Sequence, residues 1–223
     1  MLLAIDTSSR MVGIALYDGI QVLSEYLWSS PDYHTVELAP AVADMLTKCG
    51  VKPGELSALA VALGPGSFTG IRVGLALAKG MAFVHHIPLV GVPTLDILAA
   101  AQPIKQMPMA AVVRAGRSRL AVGWYRLEKN RWKSNASVQV LTVQELSEQI
   151  QEPTLVCGEL SGEEIRLLRR KRRLVIRASP AYSVRRPSFL AELAWQRLRL
   201  GQVDDAAVLS PIYLHYNTPI PEP

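Results

Sequence analysis

The chain has 223 residues, 49% of them apolar and 19% charged, which is enough to bury a core and too apolar for a disordered tail. Its formal charge of +5 comes from one segment: nine of the 24 basic residues lie between Arg166 and Arg186 with no acid among them, leaving 15 against 19 acids elsewhere. That distribution excludes a uniformly basic protein that coats nucleic acid, and the length admits one large domain or two lobes of about 100 residues each.

Leu2–Asp6 is predicted as a buried strand, followed by Met11–Tyr17 and Gln21–Trp28 as a hairpin. The Asp18-Gly19 pair between them predicts a two-residue turn with positive φ at both positions. His34–Cys49 is predicted helical and ended by Gly50. Leu56–Leu63 reads as a strand, 64–69 as a Gly/Pro loop, Gly70–His85 as a helix, Pro88–Val92 as a strand and Thr94–Ala101 as a helix. Strands alternating with helices imply a mixed sheet covered by helices. A boundary is expected at residues 101–108, so that 1–103 form one lobe and 104–223 a second, with a C-terminal segment packing back on the first. In the second lobe, strands are expected at Met109–Arg114, Arg119–Leu127, Thr154–Cys157 and Leu174–Arg177. Helices are expected from the capping box Thr142-x-x-Glu145 to Gln151, over Glu163–Lys171, and over Ser188–Leu200.

The first six residues have no basic leader, and no uncharged run reaches 18 residues. A soluble, cytoplasmic protein is expected, with Cys49 and Cys157 as reduced core thiols. The adjacent pair His85-His86 has poor metal-ligand spacing, and no metal site is expected. Asp6, with Thr7, Ser8 and Ser9 at a strand end, suits either a metal–phosphate group or plain satisfaction of the turn's backbone. Gly64-Pro65-Gly66-Ser67-Phe68-Thr69-Gly70 is a strand-to-helix loop of the kind that offers N–H groups to an anion, but it lacks a P-loop lysine. Asp6, Ser67 and Thr69 are therefore the only cofactor-binding candidates, and weak ones.

The two helices that flank this loop carry more apolar surface than one sheet requires. On 71–84, Arg72 and Lys79 share one side and all other positions are apolar or Gly. On 34–49, Leu38, Ala41, Val42, Met45, Leu46 and Cys49 form a core stripe, widened by Val36, Ala39 and Ala43. Gly70, Gly74 and Ala78 permit close helix approach. The excess favours an interface with another subunit over cover by the second lobe. The run Arg169, Arg170, Lys171, Arg172 and Arg173 is a candidate RNA contact, against the plainer alternative of a solvated helix end.

Together, Ala-Ile-Asp-Thr-Ser (4–8), His34, Gly-Pro-Gly-Ser-Phe-Thr-Gly-Ile-Arg-Val-Gly (64–74), Ala78-Lys79-Gly80, Pro88–Val92 and Pro211-Ile212-Tyr213-Leu214 closely resemble the bacterial TsaB (YeaZ) family. The resemblance implies an α/β fold of the actin/Hsp70/sugar-kinase (ASKHA) type, with two RNase H-like lobes, the second reduced. It implies a non-catalytic dimerisation subunit of the complex that forms threonylcarbamoyladenosine beside the tRNA anticodon. The implied partners are a TsaD-type transferase bound as a heterodimer, a TsaE-type ATPase, and tRNA through the complex; whether the chain pairs with a second copy as a homodimer in isolation is left open by the sequence. No intrinsic cofactor is implied, and ATP or ADP only at the junction with the catalytic partner. The interface is implied on the two apolar helices, at His34, Val36, Leu38, Ala39, Val42, Met45, Gly70, Val73, Gly74, Leu77 and Met81. The second lobe departs from the family pattern: Arg114-Ala115-Gly116-Arg117-Ser118-Arg119 stands where Asp-Ala-Arg-x-Gly-Glu is frequent, and His215 stands in place of Arg. The arginines argue against intrinsic ATP chemistry and make a local anion contact more plausible. An intrinsic ATPase or small-molecule kinase of this fold is the alternative.

Overall fold

Five strands form the first sheet: β1 (Leu2–Asp6), β2 (Met11–Tyr17), β3 (Val22–Ser29), β4 (Ala58–Ala62) and β5 (Leu89–Val92), in the order β3-β2-β1-β4-β5. The structure is a computed structural model that describes residues 1–30, 34–116, 118–171 and 173–214. β1, β2 and β3 are antiparallel neighbours, and β1, β4 and β5 run parallel. Every residue of β1 and β4 is buried, as befits central strands covered on both faces. Alternation sorts their side chains. Leu3, Ile5, Leu59 and Val61 meet the helices α1 (His34–Lys48) and α2 (Phe68–His85). Leu2, Ala4, Ala58 and Ala60 form the other face, where small side chains let α6 (Pro187–Arg199) approach closely.

The hairpin differs from the predicted turn. Only Gly19 has positive φ, at 98°. The Asp18 carboxylate instead accepts the N–H groups of Ile20 and Gln21, each at 2.7 Å, and spreads the loop over 18–21. An Asx turn replaces the tighter one.

The second sheet repeats this pattern. β6 (Met109–Arg114) pairs antiparallel with β7 (Leu120–Glu128) and parallel with β10 (Thr154–Gly158), which pairs parallel with β11 (Val175–Arg177). β8 (Arg131–Ser134) and β9 (Gln139–Leu141) both pair with β7. These two were not expected from the sequence. β8 is short and mostly exposed, so it lacks alternation, and its turn uses Lys129 and Asn130 at positive φ with no glycine. The helices α4 (Val143–Gln149) and α5 (Gly162–Leu168) both open with capping boxes, Thr142/Glu145 and Ser161/Glu164. α3 (Thr94–Ala100) packs against both α6 and β6 and so joins the lobes.

The chain returns to the first lobe at α6. After it, Asp204 accepts the Gly91 N–H at 2.7 Å and Ile212 donates to the Leu63 carbonyl at 2.8 Å, so the last described residues run over the β5 edge toward α2. Among the described residues no helix is long and apolar enough to cross a membrane. Cys157 is buried, whereas Cys49 is only half-buried at the core margin, a correction to the expectation of two core thiols.

Candidate functional site

A cleft of about 750 Å³ opens between the lobes, bordered by Ser8–Met11, His34, Gly66–Phe68, Arg114–Gly116, Glu159 and Leu160. Its base is closed by an ion cluster. Arg185, whose side chain is 2% exposed, pairs with Asp6 (Nε to Oδ2, 3.0 Å) from the first lobe and with Glu159 from the second, and donates to Ser9 Oγ. The remaining Asp6 oxygen accepts Ser8 N–H at 2.8 Å and Ser8 Oγ–H at 2.5 Å. Glu159 Oε2 accepts the Arg114 amide at 3.0 Å. Burial alone pushes the Glu159 carboxyl up, but Arg185 and the Arg114 amide together hold it below the ordinary carboxylate range. Burial likewise opposes the charge on Arg185, and the two carboxylates outweigh it.

The glycine-rich string serves packing. A Cβ on Gly66 would lie 2.0 Å from the Ser8 carbonyl oxygen, and one on Gly70 would lie 2.2 Å from that of Thr7. Ser67 donates its N–H to the Ser8 carbonyl at 2.7 Å, and its hydroxyl caps α2 by accepting Gly70 N–H at 3.2 Å. Thr7 Oγ1 donates to the Gly70 carbonyl at 2.6 Å. His34 Nε2 donates to the Ser9 carbonyl at 2.9 Å. One turn, Thr7–Ser9, therefore anchors the first residues of both α1 and α2.

A metal–nucleotide group fits this donor set poorly. Asp6 and Glu159 are both already paired with Arg185, and among the described residues no three His, Cys, Asp or Glu side chains group as a metal site. Of the cofactor candidates, Ser67 lines the cleft, Asp6 lies beneath it and Thr69 is exposed outside it. Arg114 ends β6 as Asp6 ends β1, but it forms no free anion contact. Its guanidinium is held bidentately by Glu164 (2.7 and 2.6 Å), which corrects the expectation from its unusual residue type. Arg119 reaches Glu145 at 3.7 Å, and Arg117 lies outside the described residues.

The helix pair is open on its outer side. Of the eleven predicted interface residues, Leu38, Val42, Met45, Gly70 and Gly74 are buried in the core and offer a partner nothing. Gly74 is small because a Cβ would lie 2.3 Å from Thr7 Oγ1, so the Gly70/Gly74/Ala78 stripe faces its own sheet. His34, Val73, Leu77 and Met81 are half-buried, and Val36 and Ala39 are exposed. The outer face also includes Ala43, already part of the widened apolar arc, and residues outside the eleven interface candidates: Pro40, Ala76, Gly80, Phe83 (78% exposed) and Val84. Gly80 is the informative one, because a Cβ there meets nothing within 4 Å. A helical glycine costs about 1 kcal/mol relative to alanine, and packing among the described residues gives no reason for this one.

The polar side of α2 meets the C-terminal segment. Arg72 stacks over Phe68 at 3.6 Å and donates to Tyr213 Oη at 2.8 Å, and Lys79 donates to the Ala207 carbonyl at 3.5 Å. His215 lies outside the described residues.

The basic segment divides. Arg185 is in the clasp, Arg186 pairs with Glu25, and Lys171 donates to the Ser147 and Ile150 carbonyls at the end of α4. Arg185, Arg186 and Lys171 are thus structural, a correction to the view of 166–186 as one surface. Arg166, Arg169, Arg170, Arg173 and Arg177 are exposed, and Arg172 lies outside the described residues.

A family model described as "TsaD: tRNA N6-adenosine threonylcarbamoyltransferase" matches residues 21–168. The chain belongs to this family. Within it, its relatives are TsaB (YeaZ) proteins, in agreement with the motif resemblance. "tRNA threonylcarbamoyladenosine biosynthesis protein TsaB" of Bacillus subtilis (strain 168) is 44% identical over 99 residues, 44% of this chain and 43% of that protein. The match thus spans less than half the length of that curated relative. The solved structure "YeaZ from Pseudomonas aeruginosa" has a TM-score of 0.78 at 27% identity, with 96% of this chain and 99% of that one covered. The ethanolamine utilization protein EutJ of Carboxydothermus hydrogenoformans, at 15% identity and a TM-score of 0.54 over 85% of this chain and 88% of its own, shares the fold. The expected ASKHA-type architecture of two mixed sheets is the one observed.

The Arg185 clasp escaped sequence reasoning, since its partners lie up to 179 residues away and nothing local marks it. Gly80 had a usable signal: a glycine in mid-helix outside the Gly70/Gly74 register.

Proposed function

We propose that the chain is a non-catalytic companion subunit in the formation of threonylcarbamoyladenosine beside the tRNA anticodon. It docks through the outer face of α1 and α2 onto a TsaD-type transferase. The observation that carries this is the exposed apolar face centred on Val36, Ala76, Gly80 and Phe83, whose glycine has no internal reason. The names of the TsaB relatives supply the pathway. The engagement of both cleft carboxylates by Arg185 supports a subunit without its own metal–nucleotide chemistry and disfavours an intrinsic ATPase or kinase. ATP or ADP belongs, on this proposal, at the junction with the transferase. A TsaE-type ATPase joins the complex, tRNA is reached through it, and the work is done in the cytoplasm. In isolation the same face pairs two copies.

Val36→Glu and Phe83→Glu are the test, by co-expression with the transferase and size-exclusion chromatography. Both change exposed side chains and should leave the fold intact while abolishing co-elution. Co-elution at the unaltered level would overturn the docking face. Threonylcarbamoyl transfer by the purified chain alone would overturn the non-catalytic assignment.

A further inference from the structure

We infer that the turn joining α5 to the edge strand β11 is an RNA-contacting face, built from the free half of the basic segment. Arg166, Arg169, Arg170, Arg173 and Arg177 lie within twelve residues, are exposed, and form no ion pair or side-chain hydrogen bond among the described residues. Glu164, the nearest acid in sequence, is held by Arg114, and among the described residues Glu163 pairs with none of the five. Outside this group, Arg114, Arg119, Arg126, Arg185, Arg186 and Arg197 each hold a carboxylate, whereas Arg72 and Arg131 bond to neutral side chains. Five guanidinium groups left together repel one another, and a polyanion relieves that repulsion while releasing its counterions.

The face also has a recess. A cavity of about 270 Å³ has an apolar floor that includes Leu160, Ile165, Leu168 and Val175, and Arg169 and Arg177 stand at its wall. An apolar recess beside guanidinium planes suits an unstacked base, with phosphates on the surrounding arginines, as in recognition of looped or single-stranded RNA. A lipid surface is disfavoured, because none of the large exposed apolar side chains lies between residues 160 and 181. The choice of RNA over another polyanion rests on the proposed function, whereas the polyanion-binding character of the face does not.

The test uses the full chain and an unmodified tRNA transcript, with binding followed by fluorescence anisotropy from 50 to 200 mM salt. Five phosphate contacts predict a slope of log K against log salt of about −3.5, or roughly a 100-fold loss of affinity across that range. Combining Arg169→Ala, Arg173→Ala and Arg177→Ala should flatten the slope by about 2 and leave co-elution with the transferase unchanged. A slope unaltered in this variant overturns the proposal, as does tighter binding to anionic vesicles than to tRNA. Duplex RNA that binds as tightly as tRNA overturns the base recess. Loss of co-elution would place these arginines in the protein interface instead, which also overturns it. Because docking is read separately from RNA binding, failure of this face leaves the companion-subunit proposal standing, and the reverse holds too.

Discussion

Arg185→Met tests whether the ion cluster between the lobes holds them together. The substitution keeps the aliphatic bulk but strands Asp6 Oδ2 and Glu159 Oε1 at the base of the cleft, with Ser9 Oγ also losing its donor. Removing one partner of a buried ion pair costs about 3–5 kcal/mol, and here the stranded Asp6 carboxylate is buried without a counterion while Glu159 stays partly exposed at the cleft. For a chain of this size that lowers Tm by roughly 10 °C. It leaves most folds still folded, given total stabilities of about 5–15 kcal/mol. The pH dependence distinguishes this mechanism from a simple cavity. In the unaltered protein the folded Glu159 carboxyl titrates below its unfolded value. Its stabilising contribution is therefore present above the unfolded pKa and lost as pH falls through the folded one. Without Arg185, the burial that pushes this carboxyl up is opposed chiefly by the Arg114 amide, so acidification costs the variant less than the unaltered protein. The stability gap should be widest near pH 7 and narrow toward pH 3 in urea titrations. Adding Asp6→Asn and Glu159→Gln to Arg185→Met should recover much of the loss. A gap under about 1 kcal/mol at pH 7, or one that does not change with pH, would refute the clasp as an electrostatic device.

Gly80→Ala should stabilise the isolated chain by about 0.5–1 kcal/mol in thermal melts, because the helical site is open and the added Cβ touches nothing. Gly80→Leu, equally harmless to the isolated fold, should weaken co-elution with the transferase. Unimpaired assembly would show that Gly80 does not serve close approach. Asp96 has the opposite electrostatic sign to Glu159. Burial raises its carboxyl above the ordinary range, and the Tyr125 hydroxyl, donating at 2.6 Å, only partly offsets this. The folded state therefore favours the protonated form, and a cost appears as pH rises through the unfolded value and persists at neutral pH. Asp96→Asn, which keeps an acceptor for Tyr125, should raise stability at pH 7 in urea titrations. That advantage should vanish below the ordinary aspartate value of about 3.9. An Asn variant less stable at pH 7 would contradict it.

Much of the first lobe was legible because its signals are local. The order β-β-β-α-β-α-β-α followed from periodicity and glycine punctuation, and the apolar excess on α1 and α2 was visible in their spacing. Which residues of those helices remain available was not. Val42 and Val36 are both valines on one helix, and only packing against the sheet makes one core and the other surface. The glycine string was legible as a tag and misleading as chemistry: it resembles a phosphate cradle, but its glycines admit the backbone of Thr7 and Ser8.

By itself, then, the sequence determined most of the elements, though not β8 and β9, and the family, because hydrogen bonding along the chain and the 3.6- and 2-residue periods depend on near neighbours. Tertiary structure alone decided what the charges do. Arg185, Arg186 and Lys171 are indistinguishable by composition from Arg169 and Arg173. Three have partners brought in from distant segments, and two remain in water. Electrostatic role depends on separation and burial in space, which no local stretch of chain encodes.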